Sequence, residues 1–313
     1  MNLDRAVIVI GGCTASGKSK LALDLAEHLG NAEILCADSV TLYRGFDIGA
    51  AKPDKADRDR VPHHLLDIRD GHETFTAGDF VEVAAPIIDS LHAQKKIPLL
   101  VGGTGFYLRA LLQGMTEQSL EESAHGEMIK KQLAEDIKTQ GITTLYEEMI
   151  RLDPALKEKI HVQDEYRVIR ALQAMRSTGK LWSELNAMAK ARPPRFENVH
   201  FFCLDIEKES LRENVKIRTQ KMLRDGLVEE TKRLLAIGIA FQAKPMQSIG
   251  YRQVVDFLDG KITEAKLTEE IELATMRLAK QQRTWFRGEK NAIWVKNLSA
   301  ILETLMLESP HDA

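Results

Sequence analysis

The stretch Gly12-Cys13-Thr14-Ala15-Ser16-Gly17-Lys18-Ser19 fits the phosphate-cradling pattern G-x-x-x-x-G-K-[ST]. It follows the apolar run Ala6-Val7-Ile8-Val9-Ile10 and precedes leucines at helical spacing, Leu21, Leu25 and Leu29. A strand before and a helix after are the context in which the pattern carries chemistry. Its glycines let the backbone curl so that N–H groups converge on an anion, and the helix N-terminus adds partial positive charge. Lys18 contributes a full charge, and the Ser19 hydroxyl is the expected magnesium ligand. Residues 12–19 are therefore expected to bind a diphosphate or polyphosphate. The pattern alone does not say whether that group is hydrolysed, transferred or released.

Working outward, strand and helix alternate over the first hundred residues. Residues 33–37 form a short apolar run ending at Asp38, residues 80–94 read as a helix with Val81, Ala84, Ala85 and Ile88 on one side, and residues 97–101 form a buried-type strand closed by Gly102-Gly103. Residues 200–206 and 292–295 read as further strands. This alternation predicts an α/β fold: a P-loop NTPase-like parallel sheet flanked by helices, with ligands at the carboxyl ends of its strands. Residues 116–197 differ. They are helical in pattern and end at the breaker Pro193-Pro194. We expect residues 1–115 and 198–313 to form the α/β core and 116–197 an inserted, mainly helical domain.

Composition bounds the function without naming it. The chain has 313 residues, 44% of them hydrophobic, and 43 basic against 46 acidic residues give a net charge of −3, so any nucleic-acid surface must be local. Cys13, Cys36 and Cys203 have no metal-ligand spacing and read as reduced thiols. No run approaches the ~18 apolar residues of a membrane span. The first strand begins so early that no signal segment is expected, which makes the cytoplasm the expected location. No heptad pattern predicts self-association, so a monomer is expected.

Asp38, at the end of an apolar run, is the leading acid near the phosphate loop. It reads as a magnesium partner or a general base, or more plainly as a turn aspartate. Thr104 follows two glycines at a strand end and reads as a site hydroxyl or an ordinary turn residue. His63-His64 are adjacent with no third ligand near, which argues against a metal site. Residues 263–287 read as one long helix whose stripe Leu267, Ile271, Ala274, Leu278 and Trp285 faces inward. Arg277, Lys280, Arg283 and Arg287 fall on the opposite side, as a solvated face or as phosphate contacts.

An ordered set of segments now resembles the tRNA dimethylallyltransferase (tRNA isopentenyltransferase) family of bacterial type. Asp38-Ser39-Val40-Thr41-Leu42-Tyr43 and Asp47-Ile48-Gly49-Ala50-Ala51-Lys52-Pro53 are similar to its D-S-x-x-x-Y and D-I-G-T-A-K-P signatures. Val61-Pro62-His63-His64-Leu65-Leu66-Asp67-Ile68, Val101-Gly102-Gly103-Thr104-Gly105-Phe106-Tyr107, Arg170-Ala171-Leu172, Ile249-Gly250-Tyr251-Arg252 and Thr284-Trp285-Phe286-Arg287 follow in the family's order. The likeness runs over nearly the whole chain.

The resemblance implies transfer of a dimethylallyl group from dimethylallyl diphosphate to N6 of the adenosine at tRNA position 37. The implied tRNAs read codons beginning with U, diphosphate is released, and Mg²⁺ is the cofactor. It also implies roles. Lys18, Asp38 and Thr104 would be catalytic. Gly12, Cys13, Thr14, Ala15, Ser16, Gly17, Lys18, Ser19 and Arg218 would hold diphosphate, with Ser19 on the metal. Asp38, Ser39, Val40, Thr41 and Thr104 would meet the tRNA, as would Gln163, Asp164, Glu165, Tyr166 and Arg167 in the insertion, which would clasp the anticodon stem-loop. Arg277, Lys280, Arg283 and Arg287 would meet its phosphates. The chain departs from the family pattern at Ala50 (usually threonine), Gln173 (usually glutamate), and Asn214, Met276 and Gln281 (usually basic). A P-loop small-molecule kinase and a non-catalytic RNA-binding paralogue are the alternative readings.

Overall fold

The computed structural model describes residues 3–114, 124–191 and 193–307. Residues 116–123 of the expected insertion lie outside the described residues. Six strands form one parallel sheet: β1 (Val7–Gly11), β2 (Ala32–Cys36), β3 (His63–His64), β4 (Ile97–Gly102), β5 (Val199–Leu204) and β6 (Ala292–Val295), in the order β3-β2-β4-β1-β5-β6. The fully apolar run of β1 is buried along its whole length, as a central parallel strand covered on both faces requires. Ile8 and Ile10 pack with Leu21, Ala22 and Leu25 of the first helix, α1 (Lys18–Leu29), and with Leu99 and Phe202 from the neighbouring strands.

Register positions the site. Gly11 lies opposite Gly102 and opposite Cys203, and Cys36 lies opposite Val101. Strands β1, β2, β4 and β5 therefore end level, and the loops after them share one edge of the sheet, where the strand order reverses around β1. Packing at that edge is close: a Cβ on Gly102 would come 1.9 Å from the Ala37 carbonyl oxygen.

Other elements of this unit are α2 (Lys55–Arg60), α3 (Ala77–Ala93) and α4 (Gly105–Gln113). Helix α3 starts three residues before the position predicted by its apolar spacing. Thr76 and Asp79 form a capping box there, with the Thr76 hydroxyl accepting from the Asp79 N–H at 3.2 Å and Asp79 accepting from the Thr76 N–H at 2.6 Å. The His63-His64 pair is an edge strand. His64 Nε2 meets Glu33 Oε2 at 2.6 Å, and Lys96 donates to the other oxygen at 2.5 Å. Burial alone would raise the Glu33 carboxyl, but these two partners hold it below its ordinary value.

Residues 110–195 form a second compact unit, distinct from residues 1–109 with 196–313. Its helices are α5 (Ala124–Gln140), α6 (Ile142–Leu152), α7 (Glu165–Thr178) and α8 (Trp182–Lys190), around a core of Leu133, Leu145, Met149, Leu156, Val168 and Leu172. Gln173 is buried in this unit and donates from Nε2 to the Gly126 carbonyl at 3.1 Å. A carboxylate could not make that bond, so the departure at this position has a packing role. The first unit closes with α9 (Lys208–Arg224), α10 (Leu227–Ala236), α11 (Tyr251–Leu258), α12 (Glu264–Arg287) and α13 (Leu298–Leu307). No described helix is long and apolar enough to cross a membrane.

Gly102→Ala should prise β4 from the turn after β2 and lower unfolding stability by about 3 kcal/mol, a cost at the upper end for overpacking. Urea denaturation measures this, and a loss below about 1 kcal/mol would mean that the edge is not tightly packed.

Candidate active site

One cavity of about 940 Å³ opens at the carboxyl edge of the sheet. Thr14, Lys18 and Ser19 line it from the phosphate loop, Asp38, Val40 and Thr41 from the turn after β2, Arg218 and Met222 from α9, and Leu278 and Gln282 from α12. Residues 47–53 form another wall.

The phosphate loop has the bend its sequence predicts. Gly17 caps α1 with φ 93°, in the left-handed region that glycine adopts without strain. Lys18 donates to the Cys13 carbonyl at 3.2 Å. Burial lowers the Lys18 pKa, Asp38 opposes that shift, and Arg218 adds to it. Burial likewise lowers Arg218, with Asp38 opposing. Lys18 and Arg218 are thus two desolvated cations on one cavity, and Asp38 is the carboxylate that acts on both. Such a site favours a ligand carrying more than one negative charge.

Asp38 does two things at once. Its Oδ1 accepts the N–H groups of Val40 at 2.8 Å and Thr41 at 3.3 Å, the turn role open to any aspartate. Its Oδ2 has no hydrogen-bond partner among the described residues, and the side chain lines the cavity. Thr104 sits beside it through the backbone, donating its N–H to the Ala37 carbonyl at 3.3 Å, but it is not among the lining residues. Ser39 is half-buried and also outside the lining. Cys13 is buried beneath the loop against Leu211, Val215 and Ala279, where burial raises its thiol pKa, with Lys18 and Arg283 opposing.

The late helix differs from its predicted orientation. Leu267 and Ile271 are buried, but farther along the buried positions are Thr275, Ala279 and Phe286, one residue on from the expected Ala274, Leu278 and Trp285. This turn brings Leu278 to the cavity. Arg277, Lys280 and Arg287 remain exposed. Arg283 leaves that face: it is half-buried and pairs with Asp205 Oδ1 at 2.7 Å. Asn214, which stands at a usually basic position, donates to the Ala15 carbonyl of the phosphate loop at 3.0 Å. Met276 packs against the apolar group under that loop, and Gln281 is exposed.

Gln282 makes a structural link that sequence reading missed. Its Oε1 accepts the Thr14 N–H at 2.8 Å, and its Nε2 donates to the Gly103 carbonyl at 3.0 Å. One amide therefore ties the phosphate loop to the Gly103-Thr104-Gly105 turn. Trp285 packs one helical turn farther on, where a Cβ on Gly105 would come 2.3 Å from its ring.

In the helical unit, the segment 163–167 caps α7. Asp164 accepts the Arg167 N–H at 3.2 Å and pairs with the Arg167 Nε at 3.3 Å. Gln163 and Glu165 flank it, and Tyr166 is 70% exposed.

Fold and site define a P-loop α/β protein whose loop, acid and arginine converge on one cavity, with an inserted helical unit. Comparison with known proteins narrows this. The model of the family described as "IPP transferase" matches residues 41–289. The tRNA dimethylallyltransferase 1 of Trichlorobacter lovleyi is 41% identical over 289 residues, covering 92% of this chain and 93% of that protein. The tRNA dimethylallyltransferase of Geobacter metallireducens is 38% identical over 307 residues, 96% of each. Among solved structures, the tRNA isopentenylpyrophosphate transferase of Bacillus halodurans is similar at 31% identity and a TM-score of 0.69, over 96% of this chain and 94% of that one. A eukaryotic dimethylallyltransferase at 24% identity, with a TM-score of 0.80 over 98% of this chain and 81% of that one, shares the fold. The chain belongs to the IPP transferase family.

Gln282→Met removes both clasp bonds at nearly constant volume. With two partners orphaned, unfolding stability should fall by about 2 kcal/mol. Chemical denaturation checks this, and unchanged stability would mean that the amide only fills space.

Proposed function

We propose that this cavity is where the chain, a tRNA dimethylallyltransferase, moves a dimethylallyl group from dimethylallyl diphosphate to N6 of the adenosine at tRNA position 37 and releases diphosphate. The observation that carries the reading is the convergence of Lys18, Arg218 and Asp38 on one cavity. The first two match a departing polyanion, and the third matches a nucleophile that must lose a proton.

The step balances simply. N6 of adenine attacks C1 of the dimethylallyl group, the C1–O bond breaks, and diphosphate leaves with the electron pair. The proton from N6 passes to Asp38 Oδ2, the oxygen not held by the turn. An exocyclic amine conjugated into a purine is a weak nucleophile, and a positioned base contributes roughly 10²–10⁴-fold. Backbone N–H groups of the loop and the Lys18 and Arg218 side chains stabilise charge as it develops on the leaving oxygens. The hard hydroxyl oxygen of Ser19 lines the same cavity and fits Mg²⁺, which takes few protein ligands and the remainder from phosphates and water. Ser19 would hold that ion, which supplies charge neutralisation for the departing diphosphate.

A stacked loop base cannot enter such a cavity, so the target adenosine is flipped out, at lower cost from a loop than from a duplex. Thr104 lies beside Asp38 to meet the flipped nucleotide. The exposed Arg277, Lys280 and Arg287 have no ion pair among the described residues and meet tRNA phosphates. In the helical unit, residues 163–167 offer the exposed Tyr166, together with Gln163, to the anticodon stem-loop.

Labelled dimethylallyl diphosphate and unmodified tRNA should give labelled RNA without ATP; strict ATP dependence with unlabelled RNA would contradict the reading and favour a kinase. Asp38→Asn should lower kcat by roughly 10²–10⁴-fold with little change in tRNA affinity, and equal losses in both would make Asp38 a binding residue. Replacing Arg277, Lys280 and Arg287 with alanine should flatten the salt dependence of tRNA binding, by about 0.7–0.9 in slope for each phosphate no longer neutralised. An unchanged slope would leave that face merely solvated.

A further inference from the structure

The wall of the cavity formed by residues 47–53 is held by a buried acid that belongs to none of the motifs above. Glu230, on α10, is 5% exposed. Its carboxylate accepts the backbone N–H groups of Asp47 at 3.2 Å, Ile48 at 3.0 Å and Gly49 at 3.2 Å, and the Tyr251 hydroxyl donates to it at 2.5 Å. The Gly49 N–H also donates to the Tyr251 oxygen at 3.1 Å. Burial and the adjacent carboxylate push the Tyr251 pKa up, which keeps its hydroxyl a donor. Gly49 lies so close to the Tyr251 ring that a Cβ there would come 2.4 Å from a ring carbon.

The other end of the wall is fastened by Lys52, whose side chain is 3% exposed. Its Nζ donates to the Tyr43 carbonyl at 2.6 Å, to Asp47 at 2.8 Å and to Asp67 at 2.5 Å. Between the two fastenings Ala51 has φ 48°, a left-handed conformation that a non-glycine residue keeps only when its surroundings impose it. Ile48, Ala50 and Ala51 from this wall face the cavity. The other apolar lining residues include Ile34 and Val101 on strands and Met222 and Leu278 on helices, and backbone ladders fix their positions. Apart from two turn bonds, from Ala51 to Ile48 and from Lys52 to Asp47, the 47–53 wall has no ladder. Its shape comes from side chains, and chiefly from Glu230.

We propose that Glu230, acting with Tyr251, is a positioning residue that sets donor chain length: it fixes the 47–53 wall so that the cavity accepts a five-carbon prenyl chain and excludes longer ones. The proposal rests on the reading of this cavity as the dimethylallyl diphosphate site. Glu230→Gln replaces one acceptor oxygen with an amide that faces backbone N–H groups, and Tyr251→Phe removes the bridging hydroxyl alone. Both release the wall without touching Lys18, Asp38 or Arg218.

The test compares kcat/KM for dimethylallyl diphosphate and geranyl diphosphate with the same unmodified tRNA. That ratio does not depend on the fraction of enzyme folded, so a merely structural role would not move it. Since pocket contacts with one methylene are worth about 10–200-fold, the wild-type preference for the shorter donor should fall about tenfold in Glu230→Gln and about threefold in Tyr251→Phe. A preference within twofold of wild type in both variants overturns the proposal. If Glu230→Gln does not fold, Tyr251→Phe decides alone by the same criterion. A wild-type enzyme that transfers neither chain overturns the underlying reading, and this proposal with it.

Discussion

The level ending of β1, β2 and β4 is the constraint on which the site depends. Parallel pairing sets Gly11 opposite Gly102 and Cys36 opposite Val101, so three loops from distant parts of the chain leave the sheet at one height. A slip of one residue along β4 that brought Val101 opposite the Ala37 carbonyl would put a side chain where only a hydrogen fits. The same slip would invert the faces of the strand. Register therefore fixes the separation between the phosphate loop and Asp38, and Gln282 locks the third loop to the first.

The electrostatics follow from that geometry. Lys18 and Arg218 are driven toward their neutral forms by burial, and one carboxylate, Asp38, opposes this in both. A pair of desolvated cations favours a polyanion as its partner. It also makes departure of that polyanion easier when charge develops during bond breaking, because the groups are already in place and need no reorganisation. Asp38 meets both demands because its two oxygens have different duties: Oδ1 holds the turn, and Oδ2 is left for the cavity.

Much of this is legible in the sequence, and the remainder is not for identifiable reasons. The phosphate loop, the strands and the ordered family segments rest on local spacing or composition. The two-residue strand His63–His64 carries no periodicity at all. Helix α3 begins earlier than expected because a capping box, and not its apolar stripe, sets its start. The late helix runs one residue out of phase with its apolar pattern beyond Ile271, and Thr275 tolerates the buried face by bonding its hydroxyl to the Ile271 carbonyl at 2.7 Å. The roles of Gln282 and Glu230 are hidden for a different reason: the backbone groups they bond include ones 268 and about 180 residues away in sequence, so local spacing carries no sign of them. Asn214 and Gln173 read as losses from the family pattern, yet each bonds a specific carbonyl.

The central claim is that the loop at residues 12–19 cradles a leaving diphosphate. The most direct measurement is a crystal structure of the protein with a non-reactive thio analogue of dimethylallyl diphosphate. The account predicts the diphosphate among the backbone N–H groups of residues 15–19 with Lys18 and Arg218 upon it, the apolar chain against Ile48 and Ala50, and C1 facing Asp38. A diphosphate bound away from the loop, or a chain directed away from Asp38, would contradict it.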